Sequence, residues 1–405
     1  MKTNPNHFSY NQIIGFVIIG ISIVILGFVS YSNSVKSKLP IVFSEKYLLS
    51  NTWKNYKDAY IDPESGRTID TQQDNITTSE GQSYSMLRAV WMDDRETFDK
   101  VFKFSQEILK HKNDNLYSWL FGKSANGTYK VLTDRGGDNA ATDADTDIAL
   151  ALIFAYKKWD DGYYLQEAKL IINDIWKNEI VFVKGNPIVA ANDIEKSSPS
   201  KIIVNPSYLA PYAYKIFATV DKEHDWNKVA DYSYVLIEES IKNQLNTGTT
   251  TANIPPDWIQ VDRNTGAIQL TTLNNLTTNY SYDALRLPWR MGLDYEWFKD
   301  ERAKNILDKL SFFKNEWQTK RMIAVSYKHN GEVIENIESP AMYGGIIGYF
   351  MVSEPTLAEE VYKEKLQILY NPDDNFWRKK LSYYDDNWAW FGIALYNHLL
   401  PNLAK

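Results

Sequence analysis

Along most of the chain the apolar positions recur at three- and four-residue intervals, the pattern of helices that bury one face. Phe98, Val101, Phe102, Ile108 and Leu109 make one such stripe, and Ala303, Ile306, Leu307, Leu310, Phe313 and Trp317 make another. Segments carrying the pattern lie near 79–92, 96–111, 145–159, 163–178, 207–219, 227–244, 282–293, 301–317, 340–352, 357–369 and 384–400, with a further one within 43–60. Two stretches interrupt it. From Ile180 to Val204, β-branched residues surround Gly185-Asn186-Pro187, which predicts a small hairpin and a loop. From Thr247 to Thr277, Pro255-Pro256 and Asn264-Thr265-Gly266 punctuate an irregular segment. Periodicity by itself predicts a mostly helical protein.

The first residues follow a different rule. From Ile13 to Tyr31 the chain is almost unbroken Ile, Val, Phe, Leu and Gly, close to the ~20 apolar residues that cross a bilayer. No Ala-x-Ala-like cleavage site follows, so an uncleaved signal anchor is expected. The expected organisation is a short cytoplasmic N-terminus (1–12), a transmembrane signal anchor (13–31), a tether (32–40) and one catalytic domain (41–405). Lys2 on one side and Lys36 and Lys38 on the other nearly cancel as orientation signals.

Composition narrows the function. With 405 residues, 44% of them hydrophobic, the chain can bury a sizeable core. A net charge of −7 and the lack of a long basic run argue against a nucleic-acid partner. The chain has no cysteine, which excludes disulfides and thiolate chemistry, and its five scattered histidines lack the spacing of a zinc site. The 13 Trp and 27 Tyr exceed what a core of this size needs, although most are expected to pack rather than bind. Flat aromatic faces suit sugar rings.

The candidate chemistry begins with Ala141-Thr142-Asp143-Ala144-Asp145-Thr146-Asp147-Ile148-Ala149, where three carboxylates crowd the start of an otherwise apolar helix. Read alone, Thr142 or Asp143 would cap that helix, and Asp145 and Asp147 would face its dipole. Two distant motifs also carry acids: Thr78-Ser79-Glu80-Gly81-Gln82-Ser83-Tyr84, and Tyr282-Asp283-Ala284-Leu285-Arg286-Leu287-Pro288-Trp289-Arg290. Glu80 alone would be a first-turn acid. Asp283 and Arg286 alone would be an ordinary ion pair one helical turn apart.

Together the three motifs resemble glycoside hydrolase family eight. The pattern from Ala141 through Ala155 to Trp159 follows that family's signature, and Asn205-Pro206-Ser207-Tyr208 with Pro211, Pro256-Asp257-Trp258, Ser339-Pro340-Ala341 and Tyr383-Tyr384 extend the likeness from Thr78 to Leu400. The resemblance implies an all-α fold, an (α/α)6 barrel of six helical hairpins. It implies Glu80 as general acid, Asp283 as general base held ionised by Arg286, and Asp143 as the acid that binds and distorts the sugar. Asp145 and Asp147 are left as structural. Trp119, Tyr208 and Trp289, with Tyr84 and Tyr282, become candidate sugar contacts, and Tyr384 or Tyr383 is placed near the attacking water. One departure is Ser85, where the family commonly has glycine.

The implied activity is an inverting, endo-acting hydrolase of a β-1,4-linked polysaccharide. Such an enzyme uses one protonated and one ionised carboxyl ~6.5–9.5 Å apart. It needs no cofactor and no metal. Such a substrate lies outside the cell, so the catalytic domain is expected to be extracellular, tethered by 13–31, with an exopolysaccharide synthesis or secretion complex as a candidate partner. Two alternatives stay open: a catalytically silent glycan-binding factor, or action on chitosan, xylo-oligosaccharide or an amino-sugar polymer.

Overall fold

The computed structural model describes residues 44–245, 250–273 and 275–405. The apolar run 13–31, the tether and the predicted membrane anchorage lie outside the described residues. Among the described residues no helix is long and apolar enough to cross a membrane.

Thirteen α-helices are found among the described residues: α1 (Glu45–Tyr60), α2 (Ser79–Trp91), α3 (Arg95–Phe104), α4 (Thr142–Trp159), α5 (Gly162–Glu179), α6 (Pro211–Val220), α7 (Trp226–Lys242), α8 (Arg286–Phe298), α9 (Glu301–Leu307), α10 (Ser311–Lys320), α11 (Pro340–Ser353), α12 (Pro355–Val361) and α13 (Tyr383–Tyr396). Helices α2, α4, α6, α8, α11 and α13 pack side by side in sequence order. The ring closes where Tyr84 of α2 meets Trp388 of α13 edge-on at 5.9 Å and Arg88 reaches Asp386 at 3.2 Å. Each inner helix is backed by an outer one: α3, α5, α7, α9 and α12 follow their partners, and α1 backs α13. This is the six-hairpin (α/α)6 barrel.

Burial separates the two rings. Every residue of α4 from Thr142 to Ala155 is buried, and so is every residue of α11 from Ala341 to Phe350. A helix apolar on all sides belongs inside a protein. Three inner helices also approach closer than side chains allow. A Cβ on Gly344 would lie 1.9 Å from the Trp388 carbonyl oxygen of α13, so α11 can sit there only with glycine.

Several expectations shift at the edges of elements. The predicted helix 301–317 is two, α9 and α10, broken at Asp308–Leu310, where Leu310 leaves helical geometry at ψ 29°. The segment 282–293 becomes helical only at Arg286, which leaves Tyr282 and Asp283 on the preceding turn. The predicted helix 207–219 begins as a short 3-10 turn, Pro206–Tyr208, before α6. The predicted hairpin is present, with Ile180–Val183 antiparallel to Asn186–Val189. The irregular stretch 247–277 contributes the strand Ile259–Asp262, paired with Lys201–Val204.

Candidate active site

The N-terminal ends of the inner helices carry the predicted motifs: Glu80 on α2, Asp143 on α4, Asp283 just before α8, and Tyr383-Tyr384 on α13. A cleft of about 460 Å3 opens there, lined by Glu80, Tyr282, Asp283, Arg286, Tyr383 and Tyr384, with Asp70, Gln72, Gln73, Thr78, Ser382 and Asp385 on its walls.

Arg286 is the centre of the site. Its guanidinium, 2% exposed, contacts all three predicted carboxylates. Nη1 pairs with Glu80 Oε2 and, at 3.0 Å, with Asp143 Oδ2; Nη2 pairs with Asp283 Oδ1. Nε donates to Ser207 Oγ at 3.2 Å and to the Asp283 carbonyl at 3.1 Å. The Tyr208 ring lies 5.0 Å from the guanidinium carbon. One cation faces three acids, and Arg290, the next cation on α8, is already engaged by Asp147 at 2.8 and 3.0 Å.

That imbalance sets the protonation of the site. Glu80 keeps 22% side-chain exposure through the cleft mouth, yet partial removal from water is the largest influence on it and raises its pKa above the ordinary glutamate range. Asp283 raises it further, and Arg286 opposes both. Asp143, only 3% exposed, is pushed up to about 7, by burial first and by Glu80 as well, against the pull of Arg286. The deep side of the cleft therefore retains a proton near neutral pH. Asp283 is the most open of the three at 34% exposure. Both its oxygens accept hydrogen bonds, the second from Trp258 Nε1 at 2.9 Å.

The capping roles are not the ones spacing suggests. Ala141 is the N-cap of α4 and makes no side-chain cap, while the Thr142 hydroxyl donates to the Ala190 carbonyl at 2.7 Å. On α2 the cap is Thr78, whose Oγ accepts from Gly81 N at 3.0 Å. Neither Asp145 nor Asp147 lines the cleft. Asp145 accepts from Tyr117 N at 3.0 Å in the core, and Asp147 is occupied by Arg290.

The predicted aromatic contacts divide. Tyr282 is 43% exposed on the cleft rim, with its ring edge-on to Tyr384 at 5.8 Å. The Tyr384 hydroxyl donates to the Tyr282 carbonyl at 2.6 Å, beside Asp283. Tyr383 packs against Tyr56 and Tyr60 and lines one side of the cleft, while Tyr384 stands among Arg286 and all three acids. Tyr208 is half-buried between Arg286 and Trp258. Trp119 is half-buried beside α2; its carbonyl accepts from Ser79 N at 3.1 Å and its indole donates to the Gly136 carbonyl at 2.7 Å.

Two assignments are corrected. Trp289 is 4% exposed, donates to the Phe391 carbonyl at 3.0 Å and packs edge-on to Trp388 at 5.7 Å, so its faces serve the core and not a sugar. Tyr84 is 2% exposed and packs on Trp388 and Phe391 in the same way. Ser85 is buried, with its hydroxyl 2.9 Å from that of Thr68.

Sequence reasoning left Ser207, Asp257 and Trp258 out of the site. All three stand in motifs that were visible, but only the fold shows that Ser207 meets Arg286 and that Trp258 meets Asp283.

The model of the glycosyl hydrolases family 8 matches residues 28–387. Endoglucanase A of Acetivibrio thermocellus is 32% identical over 334 residues, which cover 79% of this chain and 64% of that protein, so the chain spans somewhat under two thirds of that relative's length. Among solved structures, a β-1,3-1,4-glucanase from Paenibacillus superposes with a TM-score of 0.71 at 23% identity, over 88% of this chain and 94% of that one. An endo-1,4-D-glucanase from Vibrio fischeri gives 0.70 at 23% identity, over 85% and 94%. The extent of the family match, over a barrel with the acids gathered at its inner helix ends, means that this chain belongs to glycosyl hydrolase family 8.

Proposed function

We propose that the chain is an endo-acting, inverting hydrolase of a β-1,4-linked polysaccharide, most simply a β-glucan, working outside the membrane to which its N-terminus anchors it. The observation that carries this reading is the convergence of Glu80, Asp143 and Asp283 on the single guanidinium of Arg286 at the cleft floor. The names of the relatives support the substrate class.

In this reading Glu80 is the acid. Burial favours its protonated form, and as the bond from C1 to the leaving oxygen breaks, that oxygen takes the Glu80 proton. Water attacks C1 from the opposite face and gives its proton to Asp283, whose Oδ1 is held by Arg286. One bond to C1 forms as the other breaks, so the anomeric configuration inverts. Asp143, 3% exposed beneath Arg286, acts on the sugar at the cleavage point through that guanidinium. Anchorage would suit the trimming of a polymer during export.

The test is reducing-end release by the full chain from carboxymethylcellulose, mixed-linkage glucan, xylan and chitosan, with Glu80→Gln and Asp283→Asn alongside. Activity on a glucan that both variants lack, with the α-anomer formed first by NMR, is the expected result. Wild-type turnover in either variant removes its residue from the acid–base pair, and a folded wild type silent on all four polymers argues for glycan binding without turnover.

A further inference from the structure

The segment Pro255–Trp258 has so far no part in the reaction, yet it holds Asp283 from the side opposite Arg286. Trp258 Nε1 donates to Asp283 Oδ2 at 2.9 Å, while Arg286 takes Oδ1. The neighbouring Asp257 carboxylate, buried, accepts from Ser281 N at 3.0 Å, from Ala284 N at 2.8 Å and from the Ser281 hydroxyl, and so fixes the turn on which Asp283 stands. The backbone joins in. Asp257 N and Trp258 N donate to the carbonyls of Asn279 and Thr277 at 2.6 and 2.9 Å, and the strand Ile259–Asp262 continues from there. The indole itself is braced by Tyr208, edge-on at 5.7 Å.

Asp283 needs this support more than its partners do. It lies on a turn and is 34% exposed, so packing does not fix its carboxylate, and the terminal torsion of an aspartate has only a broad, two-fold preference. Donors on both oxygens remove that freedom. Each carboxylate oxygen can accept more than one hydrogen bond, so room remains for a water.

We propose that Trp258 is a positioning residue for hydrolysis, its indole N–H fixing the carboxylate rotamer of Asp283 toward the attacking water while Asp257 holds the turn beneath it. The proposal rests on the reading of Asp283 as the base. The competing role for an aromatic in a glycan cleft is a platform for a sugar ring, which uses the ring face and not the N–H.

The experiment compares Trp258→Phe with a chain carrying benzothienylalanine at 258, which keeps the bicyclic shape but replaces the N–H with sulfur. Steady-state kinetics are run for both, and each change is repeated in the Asp283→Asn background. The expected result is a kcat lower by ~10–100-fold, the scale of one lost hydrogen bond to a charged group, with KM within about twofold of wild type. Neither change should lower activity further once Asp283 is Asn. A raised KM with kcat unmoved in the benzothienylalanine protein overturns the proposal in favour of a sugar platform. An inactive wild type, or an Asp283→Asn variant with full activity, overturns the assignment of the base and this inference with it.

Discussion

Replacing Arg286 with methionine tests whether one guanidinium really balances three acids. The side chain is 2% exposed, and of its three carboxylate partners only Asp143, at 3%, is fully buried; Glu80 and Asp283 remain 22% and 34% exposed and can be screened by water. Breaking a buried pair by removing one partner costs ~3–5 kcal/mol because a buried charge is left alone. A carboxylate can escape part of that cost by taking a proton, and Asp143, pushed up to about 7, is well placed to do so. The cost must therefore depend on pH. At pH 5 Asp143 is protonated in wild type and variant alike, and the loss is that of hydrogen bonds and packing, about 1–2 kcal/mol. At pH 8 wild-type Asp143 is ionised and paired, whereas the variant must hold it neutral against the solution, and the loss should approach ~3 kcal/mol.

The sign follows from proton binding. A carboxyl whose folded-state pKa lies above its unfolded value binds more protons in the folded state, so the stability it contributes is present below the unfolded pKa and lost as pH rises through the folded one. Removing Arg286 raises the folded value of Asp143 beyond about 7 and extends that loss upward. Urea titrations of wild type and Arg286→Met at pH 5 and pH 8 measure it. A penalty equal at the two pH values, or larger at pH 5, would falsify the account of a proton-retaining site.

The same physics makes other claims that can be checked. Glu179 is fully buried, neither carboxylate oxygen meets a donor of good geometry, and burial with the nearby Asp145 raises its pKa well above the usual range. Glu179→Gln should therefore melt higher than wild type at pH 8 and show a flatter melting temperature between pH 5 and 8; a variant less stable at pH 8 would refute this. Gly344→Ala drives a Cβ to 1.9 Å from the Trp388 carbonyl oxygen, where no side chain can yield, and should cost at least ~3 kcal/mol by urea titration, the upper end of overpacking; a loss under about 1 kcal/mol would mean that α11 and α13 part easily. Asp143→Asn should reduce reducing-end release less completely than Glu80→Gln. Loss to the same depth would place Asp143 in the proton-transfer pair. The alkaline limb of kcat/KM should lie above the ordinary glutamate range, since Glu80 must keep its proton, and a limb at or below pH 4.3 would contradict that role.

The helices were legible in the three- and four-residue period, but their closure into a ring of hairpins was expected only from the family resemblance. In α4 the apolar run Ile148–Ala155 is buried, and the polar start Thr142–Asp147 is buried with it, which the period does not announce. Where reading failed, the reason is that periodicity reports faces and not dihedral angles. Ala303, Ile306, Leu307, Leu310, Phe313 and Trp317 keep helical spacing across the break at Asp308–Leu310, because α9 and α10 bury the same side. Trp289 shows the converse. It belongs to a motif that carries chemistry, but it lies three positions beyond Arg286 on α8 and points at Phe391 and Trp388, which membership of a motif cannot reveal.

The site itself held a signal that spacing could have disclosed. Asp143 and Asp147 are four apart on α4, Arg286 and Arg290 are four apart on α8, and the two helices join through two rungs one turn apart, Asp143 to Arg286 and Asp147 to Arg290. Matched i,i+4 pairs of opposite sign, each on a helix too apolar to be exposed, have little to do except meet across the core. What spacing could not say is which rung works. The inner rung is closed: Asp147 keeps both oxygens on Arg290, and the pair joins two walls of the barrel. The outer rung opens on the cleft, and there the guanidinium is divided among Glu80, Asp143 and Asp283. In the proposed reaction that division leaves a proton to be donated, and it depends on residues 80 and 283, which come together with 143 only when the ring closes.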